Sequence, residues 1–498
     1  MKNSIVSLCT VLLFLQSSSF ASELNFPIDT LITTTSSVTI DGQKIEYDAI
    51  TGMQPLWNEL GEPIATLHFT YYKRKGIKDM AKRPLLISFN GGPGSASCWM
   101  HIAYTGPVLL EIDDEGNPIQ PYGIKENPYS VLDETDILYV NPVNTGYSRT
   151  IPVAGKEVNR DKFFGINADI NYLSDWLNTF VNRHNRWLSP KYLIGESYGG
   201  TRVSGLAHAL QAKQWMYLNG VILVSPADYL TFESDTPLAS ALNFPYFAAA
   251  AWYHKRLPSD LQEQPLDSVL VLAEDFTINT LVAELMKGGF IAEERKHTIA
   301  KAMSRFSGVG VDFILDHNLD IPKSAYWKEL LRTSEGKTIG RLDSRYKGLD
   351  KRNAGSSPDY NVELTSWMHS FTPAINYYMR EVLGFKTDLK YNVFGSVHPW
   401  DTRNNNTRDD LRKAMAQNPY LNVLFQVGYF DGATTYFHSK YTMWQLDPSG
   451  KMKDRMDFKG YESGHMMYLR KEDLKTANDH VREFIKSTFK EKGVAKYD

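Results

Sequence analysis

The sequence predicts an α/β fold with a mostly parallel central sheet flanked by helices. The first observation is a series of short, unbroken apolar runs, which are typical of strands buried on both faces of a parallel sheet. These runs span residues 85–89, 137–140, 192–194, 221–224 and 423–427. The second observation is that amphipathic helical patterns, such as the one at 166–181, lie between the runs. Strands that alternate with helices predict crossover connections within one sheet.

Further patterns place elements around this predicted sheet. The run ATLHFTYY at 65–72 partly alternates, which predicts an antiparallel strand with one face in solvent. A helix is predicted at 201–215, directly after a pair of glycines, and a charged amphipathic helix is predicted at 473–489. A weaker strand pattern at 456–461 precedes that last helix.

One region departs from this alternation, because between about 229 and 393 the strand patterns fade and helical patterns dominate. Helix-like stretches occupy 238–255, 266–287 and 292–306, and the loop-like stretch 336–358 follows them. We therefore predict a largely helical cap inserted into the sheet domain. The predicted units are residues 22–228, the cap at 229–393, and residues 394–498.

The N-terminus predicts a signal peptide. Lys2 supplies the positive start, and residues 5–15 are mostly apolar but too few to span a bilayer as a helix. Small residues stand at Ser19 and Ala21, the two positions that a signal peptidase inspects. We expect cleavage after Ala21, which removes residues 1–21 and exports the protein to a periplasm or the medium. No later segment predicts a membrane span.

Charge and composition argue against several other classes. The formal net charge of −3 gives no reason to expect nucleic acid or an anionic membrane as a partner. No grouping of His, Cys or carboxylate residues has ligand spacing, so we expect no metal and no cofactor. Of the two cysteines, Cys9 lies in the predicted signal peptide, and we expect Cys98 to be a buried, unpaired thiol.

The stretch KYLIGESYGG at 191–200 predicts a nucleophilic serine at Ser197. Residues 195–199 match G-x-S-x-G, the pattern of a nucleophile elbow, in which a serine occupies a tight turn between a strand and a helix. Because chain segments crowd at such a turn, the residues two before and two after the serine must be small. A strand pattern precedes the motif and a helical pattern follows it, as the elbow requires. The five residues alone are a weak signal.

Two downstream residues complete a predicted catalytic triad. A serine hydroxyl is a poor nucleophile until an oriented base takes its proton. In α/β-hydrolases the serine is followed along the chain by an Asp or Glu and then by a His. Asp431 lies just past the predicted strand at 423–427, and His465 lies between the pattern at 456–461 and the last helix. We predict that Asp431 holds the imidazole and that His465 acts as general base and then as general acid.

An oxyanion hole is predicted beside Ser197. Such a hole needs backbone N–H groups that are preorganised around the developing negative charge. One N–H group is expected from Tyr198, the residue after the nucleophile. The other is expected from the glycine-rich turn SFNGGPG at 88–94, which follows the predicted strand at 85–89. A plain turn is the alternative interpretation, because Gly-Pro pairs are common in turns.

These motifs resemble the serine carboxypeptidase family of the α/β-hydrolases. The resemblance rests on four blocks, which are NGGPGSAS from Asn90, GESYGG from Gly195, VGYFDG from Val427 and SGHMM from Ser463. Weaker similarity links the blocks outside the predicted cap. The resemblance implies an α/β-hydrolase fold and a serine-type carboxypeptidase that cleaves C-terminal residues from peptides or proteins through an acyl-enzyme. The family's usual cysteines are missing, so the chain looks like a bacterial-type member without the usual disulfides.

The resemblance implies the same triad that the motif order predicts. Ser197, Asp431 and His465 match the family's triad residues. Gly92 and Tyr198 match the residues whose N–H groups form the family's oxyanion hole.

The resemblance also implies roles for Asn90 and Glu196, which match residues that hydrogen-bond the terminal carboxylate of a peptide. A protonated carboxyl group donates to a carboxylate, whereas an ionised one repels it, so activity at acidic pH is expected. Two positions depart from the family pattern. Ser88 stands where the family usually has Trp, and Tyr104 stands where it usually has a Glu that shares a hydrogen bond with the Glu beside the nucleophile. The hydroxyl of Tyr104 is one candidate to replace that Glu in part.

Two other functions remain open from the sequence. An esterase or acyltransferase could use the same triad, and the changes at Ser88 and Tyr104 are the reason to consider it. An inactive relative that serves as a binding protein is the third reading, although all three triad residues are present.

Overall fold

The structure, a computed structural model, describes residues 26–153, 155–227, 236–403 and 406–489. A mixed sheet of ten strands runs through these residues. The predicted signal peptide lies outside these residues. The strands, in chain order and including short ones outside the main sheet, are β1 Thr30–Ile40, β2 Gln43–Trp57, β3 Pro63–Arg74, β4 Leu85–Phe89, β5 Val108–Leu110, β6 Ile124–Glu126, β7 Asp136–Val140, β8 Arg149–Thr150, β9 Lys191–Glu196, β10 Gly220–Val224, β11 Thr338–Ile339, β12 Lys347–Gly348, β13 Asn422–Gly428 and β14 Met456–Tyr461.

The strand order of the main sheet is β1-β2-β3-β7-β4-β9-β10-β13-β14, and β8 pairs with β3. The strands β1, β2, β3 and β7 pair with antiparallel neighbours, whereas from β7 to β14 all pairs are parallel. The apolar runs therefore form a buried parallel sheet, as predicted. The run at 65–72 lies within the antiparallel strand β3, but it is buried on both faces, so the expectation of one face in solvent is wrong. The hairpin of β1 and β2 has no counterpart in the prediction. Its first strand, TLITTTSSVTI, has hydroxyl side chains on both faces and so lacks the alternation that indicates a strand.

The parallel register brings the carboxyl ends of the central strands to one edge of the sheet. Val224 at the end of β10 pairs with Glu196 at the end of β9 and with Gln426 in β13. Phe89, at the end of β4, pairs with Gly195. The turns that follow these strands therefore meet at the edge where ligands bind in open α/β sheets.

The predicted helical patterns have observed counterparts with similar bounds, but they account for only some of the helices of the described residues. These helices are α1 Cys98–Ala103, α2 Ile166–Arg183, α3 Tyr198–Gln214, α4 Pro237–Tyr253, α5 Ser259–Gln262, α6 Leu266–Phe276, α7 Val282–Leu285, α8 Glu293–Ser307, α9 Val311–Asp316, α10 Lys323–Glu329, α11 Val362–Tyr377, α12 Thr407–Gln417, α13 Tyr436–Leu446 and α14 Lys471–Thr488. The helix predicted at 266–287 is α6 and α7, joined by the five-residue π-helical stretch Thr277–Leu281. None of the described helices is both long enough and apolar enough to cross a bilayer.

Helices cover both faces of the sheet. On one face α2, α3 and α12 pack around Trp176 and Leu206, which are fully buried. On the other face α1, α11 and α14 pack around Phe371 and Val481. Between β10 and β13 the described chain is mostly helical, with the short β11–β12 pair and loops beside the helices, and it has an apolar cluster of its own around Phe247 and Tyr326. Cys98 is buried and unpaired, and burial raises the pKa of its thiol.

Candidate active site

Ser197 lies at a sharp turn between β9 and α3. Its backbone φ is 58°, a left-handed value that is uncommon outside glycine, and its N–H donates to Val224 O over 2.9 Å. The glycine of the motif before it is required by space, because a Cβ atom on Gly195 would lie 2.1 Å from Gly199 O. The helix begins at Tyr198, directly after the serine. The strand, the strained turn and the helix are the arrangement that the elbow motif predicts.

The turn after β4 packs directly against this elbow. A Cβ atom on Gly91 would lie 2.8 Å from Ser197 Cβ and 2.6 Å from Tyr198 N. The two segments could not approach so closely with a side chain at that position. Gly92 lines the same cavity as Ser197, so both turns that were predicted to supply oxyanion donors, at Gly92 and Tyr198, lie together.

A buried ion pair, which the sequence analysis missed, holds the glycine-rich turn and the elbow together. Arg202 in α3 donates through Nε to Asp169 Oδ2 over 2.7 Å, and through Nη1 to Asn90 O over 2.7 Å. The hydroxyl of Tyr198 also donates to Asp169 Oδ2 over 3.3 Å. Arg202 thus ties the backbone of the glycine-rich turn to the helix that starts at the elbow.

His465 and Asp431 meet across the ends of β13 and β14. His465 Nδ1 and Asp431 Oδ2 are 2.6 Å apart. Asp431 also accepts from Ala433 N over 2.8 Å, from Thr434 N over 3.1 Å and from Thr434 Oγ1 over 2.6 Å. The carboxylate is therefore fixed by donors from its own turn, and it in turn fixes the imidazole ring. Ser197 and His465 line the same cavity.

The protonation of His465 reflects opposing influences. Burial lowers the pKa of its imidazole, but the charge of Asp431 and its hydrogen bond act in the opposite direction, helped by Glu196. The net effect is a pKa above the ordinary value for histidine. Such an imidazole is a stronger base towards a hydroxyl proton, and it remains neutral only above the raised pKa.

Residues 341–344, which we call the strap, hold both triad turns through backbone hydrogen bonds. Gly432 N donates to Arg341 O over 3.0 Å, next to Asp431, and His465 N donates to Leu342 O over 2.7 Å. The strap is anchored in turn by Glu363 at the start of α11, whose Oε1 accepts from Leu342 N over 2.7 Å. This element lies in the stretch 336–358, which the sequence analysis describes only as loop-like.

Glu196 is a buried carboxyl group beside the nucleophile. Its Oε1 accepts from Asn90 Nδ2 over 3.0 Å, and its Oε2 accepts a short hydrogen bond from the hydroxyl of Tyr468. The amide of Asn90 is oriented by Met100 N, which donates to Asn90 Oδ1 over 3.1 Å. Burial raises the pKa of Glu196, against the opposing charge of His465 and the two hydrogen bonds that the carboxyl group accepts.

The partner of Glu196 is Tyr468, and not Tyr104 as we considered from the sequence. Tyr104 donates through its hydroxyl to Gln426 Oε1 over 2.6 Å, away from Glu196. Its ring stacks on that of Tyr468 with 4.8 Å between centroids and 9° between planes. Tyr104 thus supports the residue that contacts Glu196. Ser88, at the position of the family's Trp, is fully buried, and its Oγ has no hydrogen-bond partner among the described residues.

A cavity of about 480 Å³ adjoins the elbow. Gly91, Gly92, Glu196, Ser197 and His465 line it together. Many of its other lining residues come from α1, α3, α11, α12 and α13 and from the strap. Among the described residues, no group of three or more His, Cys, Asp or Glu side chains could hold a metal ion. The arrangement is suited to acyl transfer, with a serine, an oriented histidine and backbone N–H groups around one space.

Comparisons with known proteins agree with this chemistry. A model of the serine carboxypeptidase family matches residues 61–264, which include the turn at Asn90 and the elbow at Ser197. Serine carboxypeptidase-like 36 of Arabidopsis thaliana is 30% identical over 172 residues, which are 33% of this chain and 33% of that protein. A carboxypeptidase Y homolog of Arthroderma benhamiae is 29% identical over 185 residues, which are 36% of this chain and 33% of that protein. The matches thus span about a third of each relative's length.

The fold comparison extends over much more of the chain. The crystal structure of Kex1(Δ)p, a prohormone-processing carboxypeptidase from Saccharomyces cerevisiae, covers 89% of this chain and 92% of its own, with a TM-score of 0.51 and 13% identity. Together with the strand order, this likeness confirms the predicted α/β-hydrolase fold. The family match covers residues 61–264 of the 498, so in this part the chain is similar to the serine carboxypeptidase family, and its fold is that of the α/β-hydrolases.

Proposed function

We propose that the protein is a serine carboxypeptidase that removes C-terminal residues from peptides or proteins. The observation that carries this proposal is Glu196, a buried carboxyl group that lines the same cavity as Ser197 and His465. When protonated, this group can donate a hydrogen bond to the terminal carboxylate of a peptide. The amide of Asn90 supplies a second donor at the same place. Endopeptidases and general esterases do not need a buried acid beside the nucleophile.

In the proposed reaction, Ser197 attacks the carbonyl carbon of the last peptide bond while His465 takes the hydroxyl proton. Asp431 keeps the imidazole oriented and stabilises its positive form. The N–H groups of Gly92 and Tyr198 stabilise the oxyanion. His465 then gives its proton to the leaving amine, and the C–N bond breaks. Water hydrolyses the acyl-enzyme, with His465 again as the base, and restores the serine.

The proposed pH dependence follows from Glu196 and His465 together. His465 must be neutral to accept a proton, and Glu196 must be neutral to bind a carboxylate. The ionised form of Glu196 raises the pKa of His465, and the charge of His465 lowers the pKa of Glu196, so the two groups titrate as a coupled pair. Activity on a free-acid substrate should fall at high pH, where Glu196 loses its proton, and at low pH, where His465 gains one. We propose that the optimum is on the acidic side.

The test is a paired assay across pH. An N-blocked dipeptide with a free C-terminus is compared with its C-terminal amide, and kcat/KM is measured for both. We expect the free acid to be preferred at acidic pH and the preference to shrink as pH rises through the pKa of Glu196. Equal rates on the two substrates at every pH would contradict carboxylate recognition. Ser197→Ala, with its fold checked by circular dichroism, should have no measurable turnover.

An esterase or acyltransferase is the second candidate. The observation that favours it is the departure at Ser88 and Tyr104, where the family's usual side chains are missing and Tyr104 does not contact Glu196. Efficient turnover of short acyl esters without cleavage of either dipeptide would support this candidate. Failure of Ser197 to react with a fluorophosphonate probe would instead favour an inactive binding relative.

We also propose a division of the chain and a location. The helical run between β10 and β13 has an apolar cluster of its own, which supports a cap at 229–393 between two parts of the hydrolase core at 22–228 and 394–498. We propose that residues 1–21 direct export to a periplasm or the medium, as their composition suggests. Mass spectrometry of the exported protein should find an N-terminus at Ser22.

A further inference from the structure

We propose that Arg202 positions both N–H groups of the oxyanion hole, those of Gly92 and Tyr198. The inference rests on the acyl-transfer chemistry of the function proposed above, whichever acyl substrate the enzyme takes. Arg202 lies in the first turns of α3, is fully buried and does not line the cavity. It is therefore a positioning residue, which acts through the backbone of two turns and does not touch the substrate.

The direction of the Gly92 N–H group is set by the carbonyl group of the same peptide. Gly91 O accepts from Ser95 N over 3.0 Å, which closes the glycine-rich turn. The peptide bond between Gly91 and Gly92 is trans, and in a trans peptide the C=O and N–H groups point in opposite directions. The N–H group of Gly92 therefore points away from Ser95.

The direction of the Tyr198 N–H group is set in the same way at the elbow. Ser197 O accepts from Gly200 N over 2.8 Å and from Ala227 N over 3.0 Å. The N–H group of Tyr198 belongs to the same trans peptide and points away from both donors. Each turn thus sets the direction of its own N–H group, and the oxyanion hole depends on how the two turns are held relative to each other.

Arg202 connects the two turns. Its Nη1 donates to Asn90 O over 2.7 Å and its Nη2 donates to Pro93 O over 3.4 Å, so the guanidinium group bonds the carbonyls on both sides of the two glycines. Its Nε donates to Asp169 Oδ2 over 2.7 Å, and the hydroxyl of Tyr198 donates to the same oxygen over 3.3 Å. The guanidinium carbon lies 5.0 Å from the centre of the Tyr198 ring. A planar fork of donors can hold all of these groups at once.

The burial of this ion pair favours a role in geometry over a role in stability. A buried ion pair adds little net stability compared with well-packed apolar side chains, because both charges lose their water. Oxyanion donors, in contrast, are effective only when they are preorganised, and a productive site is held to within about 0.5 Å. The contacts of Arg202 fall on the two segments for which this precision matters.

The experiment uses Arg202→Lys. Lysine keeps a positive charge near Asp169, but its single ammonium group cannot replace the fork that bonds Asn90 O and Pro93 O. On the substrate that the wild type turns over, a dipeptide or a short acyl ester, we expect kcat to fall by roughly ten- to a hundredfold. KM should change by less than about threefold, because oxyanion donors act mainly in the transition state. A thermal melt shows whether the variant folds.

An N-blocked amino aldehyde tests the oxyanion hole itself. Ser197 Oγ adds to the aldehyde carbon, His465 takes the hydroxyl proton, and the former carbonyl oxygen occupies the oxyanion hole. Because this adduct resembles the transition state, its Ki for Arg202→Lys should rise by about the same factor as kcat falls. A residue that only supports packing would lower the melting temperature without this parallel change.

The matched control is Arg83→Lys. Arg83 is also buried, and its Nε donates to Asp136 Oδ1 over 2.8 Å while its Nη groups donate to Leu132 O and Asp133 O. This pair lies at the amino ends of β4 and β7, at the opposite edge of the sheet from Ser197. The control should lower the melting temperature and leave kcat, KM and Ki unchanged.

The outcomes separate this inference from the function on which it rests. If the wild type turns over neither dipeptides nor short acyl esters, the proposed function fails and the inference fails with it. If the wild type is active but folded Arg202→Lys keeps kcat within about threefold, or shows its loss in KM, only the inference is overturned. The same holds if Arg83→Lys is slowed equally. If Arg202→Lys does not fold, the double variant Arg202→Gln with Asp169→Asn, which leaves no unpaired buried charge, is held to the same results.

Discussion

Two buried carboxyl groups of the candidate site, Asp431 and Glu196, have very different surroundings. Asp431 accepts from two backbone N–H groups, a hydroxyl and an imidazole, a set of donors that stabilises a negative charge. Glu196 accepts from an amide and a phenol, both neutral, and burial raises its pKa. The same functional group is thus suited to a fixed anion at one position and to a proton donor at the other.

The two carboxyl groups also differ in where their donors come from. Three of the donors to Asp431 belong to residues two or three places along the chain, within one turn. The donors to Glu196 are 106 and 272 residues away. A local turn can form its hydrogen bonds by itself, whereas the environment of Glu196 exists only once the whole core is assembled. The difference teaches that the surroundings of Glu196 depend on tertiary structure more than those of Asp431 do.

The largest effect is expected from Asp431→Asn. Asparagine keeps the shape but cannot hold the imidazole in the correct tautomer or stabilise its charge, so kcat/KM should fall by roughly 10³- to 10⁴-fold. The fall should be the same for the free-acid and amide dipeptides, because both need the base. A loss of less than tenfold would show that Asp431 is not the partner of the catalytic base.

Glu196→Gln should instead change the pH profiles on the free-acid and amide dipeptides in different ways. Glutamine donates at every pH, so activity on the free acid should no longer decline above the pKa of Glu196, where the wild type loses about tenfold per pH unit. Removing the negative charge also lowers the pKa of His465, so the acidic limb of the amide profile should move to lower pH. Steady-state profiles on both substrates check the two shifts. An unchanged pH profile on the free-acid substrate would contradict the proposal that Glu196 binds the carboxylate in its protonated form.

Thr434→Val tests the hydroxyl donor on the Asp431 side. The change removes the 2.6 Å hydrogen bond to Asp431 with little change in volume. We expect kcat/KM to fall by roughly threefold to tenfold, the size of one ordinary hydrogen bond of about 1 kcal/mol, because the other donors to Asp431 remain. Free-acid and amide substrates should be affected alike. A fall in kcat/KM confined to the free-acid substrate would mean that a change beside Asp431 also alters carboxylate binding at Glu196.

Tyr468→Phe makes the equivalent change on the Glu196 side and should have the smallest effect. The phenol donates to the ionised carboxylate, so its removal raises the pKa of Glu196 further. Activity on the free acid should extend upwards by roughly half to one pH unit, and the amide profile should keep its shape. Tyr104→Phe is the matched control, because its hydroxyl bonds Gln426 and not Glu196. If both variants shift the free-acid profile equally, the effect comes from packing.

The sequence predicts the parts of this molecule that have a local pattern. The parallel strands could be found from apolar runs, and Ser197, Asp431 and His465 from their order and their places after strands. Tyr468 and Arg202 could not be found, because a single tyrosine or arginine has no pattern that shows which distant carboxyl group it bonds. Tyr104 shows that the position of a residue in a motif does not by itself predict which group its side chain bonds. Its alignment position suggested contact with Glu196, but its hydroxyl bonds Gln426 and its ring supports Tyr468.

The strap has a consequence for how a substrate reaches Ser197. Because residues 341–344 hold the turns of Asp431 and His465 by backbone hydrogen bonds, lifting that segment away would dismantle the triad. Arg341 and Leu342 also line the cavity, so this part of its wall must keep its place if the turns of Asp431 and His465 are to stay together. Under the proposed function, a substrate must therefore enter without displacing this segment.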